Sequence, residues 1–436
     1  MGKDPVTVVG GGLAGAEAAW QCARFGVPAK LCEMRPAKTT PAHETAALAE
    51  LVCSNSFKSA EEGTAPALLK EEMRALGSLT LRVADGCRVP AGGALAVDRR
   101  RFAEGVTAAL EAEDGVAVVR EEVTALPERP GVIAAGPLAT DALAEGLAAA
   151  VGRDNLFFFD ALAPVVAAAS VDRERSFEAS RYGKGDGGYV NCPLTEEEYR
   201  RFVAALVSAE KAPLRDFERG VFFEGCLPAE ELARRGEDTL RFGPMKPVGL
   251  VDPRSGERPY AVVQLRPEDA GGEMYGLVGF QTRLKQAEQR RVFRLVPALA
   301  GAEFYRYGAA HRNTYICSPL ALDATLELRE RPGVYVAGQL TGVEGYMESA
   351  AAGIVAGLNA ARAYRGARPV YPPPETAVGA LFRYVTTAPP SSFAPMNVNF
   401  GLFPTVGPGR KRDRHAEIIR RARESFARWA ATVEVT

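Results

Sequence analysis

Two cysteines stand in contexts that can make a thiol reactive. Cys226 lies in Phe222-Phe223-Glu224-Gly225-Cys226-Leu227-Pro228, and the helical run Pro-Ala-Glu-Glu-Leu-Ala begins just after it. A thiol beside a helix N-terminus ionises more readily, and the thiolate is the nucleophile. Glu224 pulls the other way. Cys53 lies in Leu51-Val52-Cys53-Ser54-Asn55-Ser56, a polar turn where an exposed thiol is expected. An isolated cysteine can equally be a small buried hydrophobe. That plainer reading is kept for Cys22 and Cys32, on apolar faces, and preferred for Cys87, Cys192 and Cys317. Seven cysteines without a CxxC pair argue against a disulfide framework and against zinc ribbons, and they suit a reducing compartment. With three histidines, His43, His311 and His415, no metal site is expected.

A second constellation is built for phosphate. Pro5 to Val9 is a short β-branched run that reads as a buried strand, and it enters Gly10-Gly11-Gly12-Leu13-Ala14-Gly15, a GxGxxG pattern. Ala14 to Phe25 reads as a helix and Val27 to Glu33 as a second strand. Gly10 permits the tight turn, Gly12 lets backbone approach a pyrophosphate, and Gly15 lets helix pack on strand. The helix N-terminus offers N–H groups and a positive dipole end to the phosphates. Glu33, 21 residues after Gly12, is placed to accept from ribose hydroxyls. The order of strand, glycine turn, helix, strand and acid points to a dinucleotide, FAD or NAD.

These groups need a scaffold that brings distant segments together. Gly333 to Gly338 is another strand ending in glycine, Gln339 to Tyr346 a glycine-rich turn, and Met347 to Tyr364 a helix. A second strand–turn–helix so far along the chain favours the longer FAD, which needs protein near its ring end. Asp98 to Glu113 reads as a helix, Val116 to Glu122 as a strand, and Gly131 to Gly136 as a strand into a turn. Residues 163–310 differ, with a glycine-rich loop at Gly183–Gly188 and an acidic helix start at Thr195–Glu198. The fold class expected is α/β: a Rossmann-like FAD-binding domain with an inserted α+β domain. The parts are 1–162, the insertion 163–310, and 311–436, where Pro372-Pro373-Pro374 leads into a basic C-terminal tail.

Composition sets the outer limits. The 436 residues carry 53 basic and 54 acidic side chains, a net charge of −1, so a wholesale basic protein is excluded and a nucleic-acid partner would need a local patch. No run reaches the ~18 apolar residues of a membrane span, and the N-terminus does not read as a signal peptide; a cytoplasmic protein is expected.

Seven segments together resemble one family: Gly10–Gly15, Leu51–Ser56, Phe223–Pro228, Arg241–Leu250, Leu277–Thr282, His311–Tyr315 and Gly338–Tyr346. The chain is similar to the bacterial folate- and FAD-dependent tRNA (uracil-5-)-methyltransferases, relatives of the MnmG/GidA flavoproteins. The glycine motif is shared by many flavoproteins, and the two cysteine motifs and the Arg241–Leu250 block are more specific. The resemblance implies 5-methyluridine formation at position 54 of the tRNA T-loop. It implies 5,10-methylenetetrahydrofolate as one-carbon donor, FAD as the bound cofactor and NAD(P)H as reductant. It implies catalytic roles for Cys226 and Cys53, and FAD contacts from Gly10, Gly11, Gly12, Leu13, Ala14, Gly15, Glu33, Gly338, Gly342 and Tyr346.

That chemistry suits a thiol. C5 of uracil is a poor nucleophile, and a thiolate adding to C6 makes it a good one. Cys226 takes this role and Cys53 is the candidate base for the C5 proton, or a thiol that protects the nucleophile. Candidate tRNA or folate contacts are Arg99–Arg101, Arg283, Lys285, Arg290, Arg291 and the tail run with Lys411 and Arg412, followed on a helix by Arg420, Arg421 and Arg423. His311 reads as a folate ligand or as a structural histidine. Rival readings are a flavoprotein modifying the tRNA wobble uridine, a flavin-dependent oxidoreductase of the disulfide reductase type, and a non-catalytic RNA-binding flavoprotein. The first would carry a long C-terminal helical domain, and the second a close cysteine pair.

Overall fold

A computed structural model describes residues 4–40, 42–152, 156–161, 163–183, 188–212, 227–267, 274–308, 310–390, 393, 395–407 and 410–434. The first stretch runs β1 (Val6–Val9), α1 (Leu13–Arg24), β2 (Ala29–Cys32), β3 (Ser56–Ser59), α2 (Ala65–Ala75), α3 (Leu79–Gly86), β4 (Arg88–Val89), β5 (Ala94–Val97), α4 (Arg99–Glu111), β6 (Val116–Val119), β7 (Gly131–Ile133) and α5 (Asp141–Val151). The middle holds β8 (Leu156–Ala161), β9 (Val165–Ala167), β10 (Phe177–Glu178), β11 (Val190–Leu194), α6 (Glu196–Ser208), α7 (Ala229–Arg234), α8 (Thr239–Phe242), β12 (Ala261–Pro267), β13 (Met274–Leu277), α9 (Gln286–Phe293), β14 (Phe304–Arg306) and β15 (Ala310–Ile316). The last stretch holds α10 (Ser318–Ala321), β16 (Val334–Val336), α11 (Tyr346–Tyr364), α12 (Ala377–Thr387) and α13 (Lys411–Glu434).

Two sheets organise these elements. The first has the order β16-β7-β1-β2-β6 and is parallel throughout. β1 and β7 are buried on both faces, which is why they read as continuous apolar runs. From β1 the chain goes to β2 on one side and later to β7 on the other, so the order reverses at β1. Ligands of open parallel sheets sit at such a switch point, beyond the strands' carboxyl ends.

The second sheet, β10-β11-β12-β13-β9-β14, is antiparallel and has its own core around Val166, Phe202, Val263, Phe280 and Phe293. The antiparallel pair β8–β15 lies between the two sheets in the sequence. Helix α6 begins as the Thr195–Glu198 spacing predicts, with a reciprocal capping box.

Helices α1 and α11 pack without intervening side chains. A Cβ on Gly353 would lie 2.1 Å from Ala14 O, and one on Gly357 2.5 Å from Ala18 O. Two buried carboxylates cap other helices from a distance. Glu17 accepts from Leu79 N at 3.2 Å and Thr80 N at 2.9 Å, at the start of α3. Glu72 accepts from Ala377 N at 2.7 Å and Val378 N at 2.9 Å, at the start of α12.

The basic C-terminal tail is helical, as expected for Arg420, Arg421 and Arg423, and it packs into the core. Ile418, Ile419, Ala422, Phe426, Trp429 and Val433 of α13 are buried and belong to the same core as the parallel sheet. Their spacing of three to four residues gives α13 one apolar stripe, which the basic residues of the run obscure in the sequence.

Candidate functional site: a dinucleotide cleft with a thiol at its rim

An open cleft lies over the switch point. It is walled by Gly10–Ala14, Glu33, Ala134–Gly136, Gly338 and Tyr346, and holds about 1040 Å³ counting space open to solvent. Small-molecule sites run to ~300–1,000 Å³. The residues fit an FAD phosphate cradle on three observations. First, Gly12 is the N-cap of α1 and supplies no side-chain cap bond. Thr64, Ser78, Asp98, Thr140, Thr195 and Thr376 do cap their helices, so α1 keeps N–H groups for an anion. Second, a Cβ on Gly12 would meet nothing within 4 Å, so the space above it is open. Third, a Cβ on Gly15 would lie 1.8 Å from Gly10 O, so this glycine serves helix–strand contact and not the ligand.

Glu33 sits at the end of β2, as the spacing predicted, but it is held by the protein itself. Its Oε2 accepts from Gly11 N at 2.9 Å, and its Oε1 from Arg35 N at 3.0 Å and Arg35 Nε at 2.9 Å. Burial pushes the carboxyl pKa up, but bonds and charge from Arg35 outweigh it and hold it below the usual value. A carboxylate has ~4 acceptor positions, so a position on Oε2 remains for a ribose hydroxyl. Arg35 is buried and also pairs with Glu50 at 2.8 Å. Sequence reasoning passed over Arg35 and Glu50, because a single arginine after a strand carries no motif.

The far wall comes from the second glycine segment. Gly338 and Gly342 have φ of 75° and 81°, and Gly345 has 121°, so this turn uses conformations that side chains rarely adopt. It delivers Tyr346 as the first residue of α11. The ring lines the cleft and its hydroxyl is enclosed by the Cys53 loop. Tyr346 Oη accepts from Cys53 N at 2.8 Å and from Ser54 N at 3.2 Å, and lies 2.9 Å from Cys53 Sγ. Two amide donors occupy both oxygen lone pairs, so the phenol proton points to sulfur. Burial, with Cys53 adding, raises the Tyr346 hydroxyl well above its usual range, while Arg99 acts against the shift. Arg99 also fixes the loop, its Nη1 donating to Leu51 O at 2.7 Å.

The other cysteines in the described residues fit the plainer reading. Cys22, Cys32, Cys87, Cys192 and Cys317 are buried. Burial pushes the Cys22 and Cys192 thiols up to about 12, and Cys32 and Cys87 up to about 11. Cys226 lies outside the described residues. Its flank is described: Ala229 N donates to Gln281 O at 2.7 Å, and α7 starts at Ala229 as expected. Leu227, Thr239, Phe242, Pro244, Gly279 and Gln281 line a second, shallow hollow there, with Phe242 76% exposed. Three of the segments quoted above thus meet at one place on the second sheet.

Several basic candidates are occupied by the protein itself. Arg283 is largely buried, with Nη2 3.5 Å from Glu231, and Lys285 pairs with Glu210 at 2.6 Å. Arg291 pairs with Glu288 at 2.6 Å and Arg100 with Glu104 at 2.8 Å. In α13, Arg420 is bracketed by Glu417 and Glu424, and Arg423 pairs with Glu71. Glu231, Glu210 and Glu71 come from distant segments, whereas Glu288, Glu104, Glu417 and Glu424 lie three or four residues away on the same helix. Arg412 is exposed, and Lys411 is the first residue of α13. His311 is in β15 opposite Asp160, and its side chain lies outside what is described. Among the described residues no group of His, Cys, Asp and Glu could hold a metal ion, and no helix is long and apolar enough to cross a membrane.

Comparison with known proteins agrees with this architecture. Residues 5–368 match the family described as glucose inhibited division protein A. The methylenetetrahydrofolate–tRNA-(uracil-5-)-methyltransferase TrmFO of Desulforudis audaxviator is 58% identical over 97% of this chain and 98% of its own. Those of Geobacter sulfurreducens and Pelotomaculum thermopropionicum are 57% and 55% identical, each covering 98% of this chain and 99% of their own. Among solved structures, Aquifex aeolicus GidA in its form II crystal aligns with a TM-score of 0.69 at 18% identity, covering 98% of this chain and 73% of that one, a likeness of fold alone. With a glycine-lined cleft over a parallel sheet, Cys53 bonded to the hydroxyl of cleft-lining Tyr346, and more than half of the residues shared along nearly the whole length, the chain belongs to the TrmFO family of methylenetetrahydrofolate–tRNA-(uracil-5-)-methyltransferases, within the wider GidA group.

Proposed function

We propose that the protein forms 5-methyluridine at position 54 of the tRNA T-loop. The carbon comes from 5,10-methylenetetrahydrofolate, the bound cofactor is FAD, and NAD(P)H is the external reductant. The observation that carries this reading is the contact of cleft-lining Tyr346, through its Oη, with Cys53, because it sets a thiol one side chain away from the cleft that would hold the dinucleotide. Gly10–Gly15 and Glu33 would hold the phosphates and ribose, with Gly338, Gly342 and Tyr346 at the ring end. Bound there, FAD supplies the hydride that turns a one-carbon unit at the methylene level into a methyl group.

The chain's own residues do the rest. Cys226 as thiolate adds to C6 of uracil, forming a C–S bond and placing the electron pair on C5. C5 attacks the one-carbon electrophile. Cys53 takes the C5 proton, and a phenol proton directed at its sulfur favours the thiolate that does so. The electron pair left at C5 expels the amine that carried the carbon and leaves an exocyclic methylene; reduction of that methylene to methyl moves its π pair to C5–C6 as the Cys226 thiolate departs. We assign the cofactor to residues 1–162 and 311–436 and the nucleophile to the insertion 163–310. A tRNA substrate places the protein in the cytoplasm.

The test uses FAD-loaded protein, unmodified tRNA, NADH and folate labelled in the methylene carbon. Label is expected in 5-methyluridine, and Cys226→Ala is expected to keep its flavin and lose the label. An unlabelled nucleoside from a flavin-loaded, NADH-reducible wild type would overturn the reading.

A further inference from the structure

We infer that Asn55 and Arg266 form a clasp that positions Cys53 against the second sheet, which makes both of them positioning residues; this rests on the role proposed for Cys53. Asn55 is wholly buried and two residues from Cys53. Its Nδ2 donates to Val97 O at 2.9 Å and to Pro267 O at 2.8 Å. Its Oδ1 accepts from Arg266 Nε at 2.8 Å. Its backbone carbonyl accepts from Val97 N at 3.0 Å.

Val97 ends β5, in a three-stranded sheet of order β3-β5-β4, whereas Arg266 and Pro267 end β12 in the second sheet. One amide therefore bridges two units about 210 residues apart in sequence. The bridge continues towards Cys226. β12 pairs with β13, the turn after β13 holds Gln281, and Gln281 O accepts from Ala229 N, three residues beyond Cys226. The loop is thus pinned at Leu51 by Arg99, at Cys53 and Ser54 by Tyr346, and at Asn55 by β12. Of these pins, the last joins it to the sheet that bears the Cys226 flank.

The chemistry selects asparagine. The site presents two carbonyl acceptors and one guanidinium donor, and a primary amide answers all three. Aspartate would set a carboxylate against two carbonyl oxygens, and an aliphatic side chain would remove all three bonds at once. Asn55 does not line the cofactor cleft, so flavin binding is separable from its action.

The experiment takes FAD-loaded Asn55→Ala, Arg266→Met and the double variant. It measures bound flavin per chain, kcat and KM for tRNA methylation, and the iodoacetamide alkylation rate of Cys53 followed by peptide mass. Flavin content and KM are expected near wild type, with kcat down by about 10–100-fold, the range that a misplaced group costs. The double variant should be no worse than the worse single one, and Cys53 alkylation should change in both singles. A kcat within about twofold of wild type, additive losses, or a kcat loss matched by lost flavin would overturn the clasp. If Asn55→Ala does not fold, Arg266→Met decides alone, because it keeps both bonds donated by Asn55. A wild type that transfers no label would defeat the proposed function instead, and the alkylation rates would still judge the clasp.

Discussion

One oxygen of Tyr346 holds the Cys53 loop at three points: two amides and a sulfur. Tyr346→Phe removes all three bonds and leaves two amide donors exposed to a cavity that cannot answer them, at a cost of about 1–3 kcal/mol. Losing the hydrogen bond to sulfur should disfavour the thiolate. Cys53 alkylation at neutral pH is expected to slow by about tenfold or more, the equivalent of ~1.4 kcal/mol. Alkylation at the wild-type rate would mean that the phenol proton does not serve the sulfur. The Cys53 motif was visible in the sequence as a polar turn, but its partner lies 293 residues away, and no local pattern joins the two.

At the scale of elements, the glycine turn separates two jobs that one motif conceals. Gly12→Val adds a side chain into open space at an N-cap with φ of −74°, which valine adopts. The protein should fold with a melting temperature close to that of wild-type apoprotein and carry little flavin. Gly15→Val drives a Cβ into Gly10 O and must part α1 from β1, so it should lower stability by several kcal/mol, as overpacking does at about 1–3 kcal/mol or more. Equal flavin content in Gly12→Val and wild type would refute the cradle.

Glu72, capping α12, tests the fold away from the site. Burial pushes its carboxyl from 4.5 up to about 8. The folded state then binds a proton that the unfolded state has released, so this group's stabilisation is full below pH 4.5 and is lost as pH rises to about 8. Glu72→Gln lacks that dependence. The melting temperature of wild type minus variant should therefore grow as pH falls from 8 to 5. A difference that is flat, or that grows towards alkaline pH, would show an ionised cap.

On the scale of the molecule, charge is distributed by pairing. Arg420 is paired with two glutamates of its own helix, and Arg423 reaches Glu71 on α2 and so ties α13 to it. Arg412 is exposed at the start of the same helix. Arg412→Ala should weaken tRNA binding at low salt and reduce the slope of log K against log salt by ~1 if it meets a phosphate. Arg420→Ala should change neither. Titrations of tRNA at several salt concentrations decide between them, and the reverse order of effects would remove α13's first turn from the tRNA surface.

The sequence by itself determined the part of the molecule built on the parallel sheet. β1, α1, β2, β7, β16 and α11 fall within one or two residues of their predicted places, because buried strands, glycine turns and an apolar helix are written locally, in spacing and residue type. The seven dispersed motifs determined the family, and Cys53 and Tyr346 were named from them. Tertiary structure alone decided what those residues face. It placed Tyr346 Oη on Cys53, brought Glu50 to Arg35 and Asn55 to Arg266, and spent Arg283, Lys285 and Arg423 on partners distant in sequence. It also packed the helix of the basic tail into the core of the parallel sheet. The reason is range: a hydrogen bond or ion pair acts over about 3 Å in space, whatever the separation in sequence, and only the packing of two sheets and their helices sets which groups come that close.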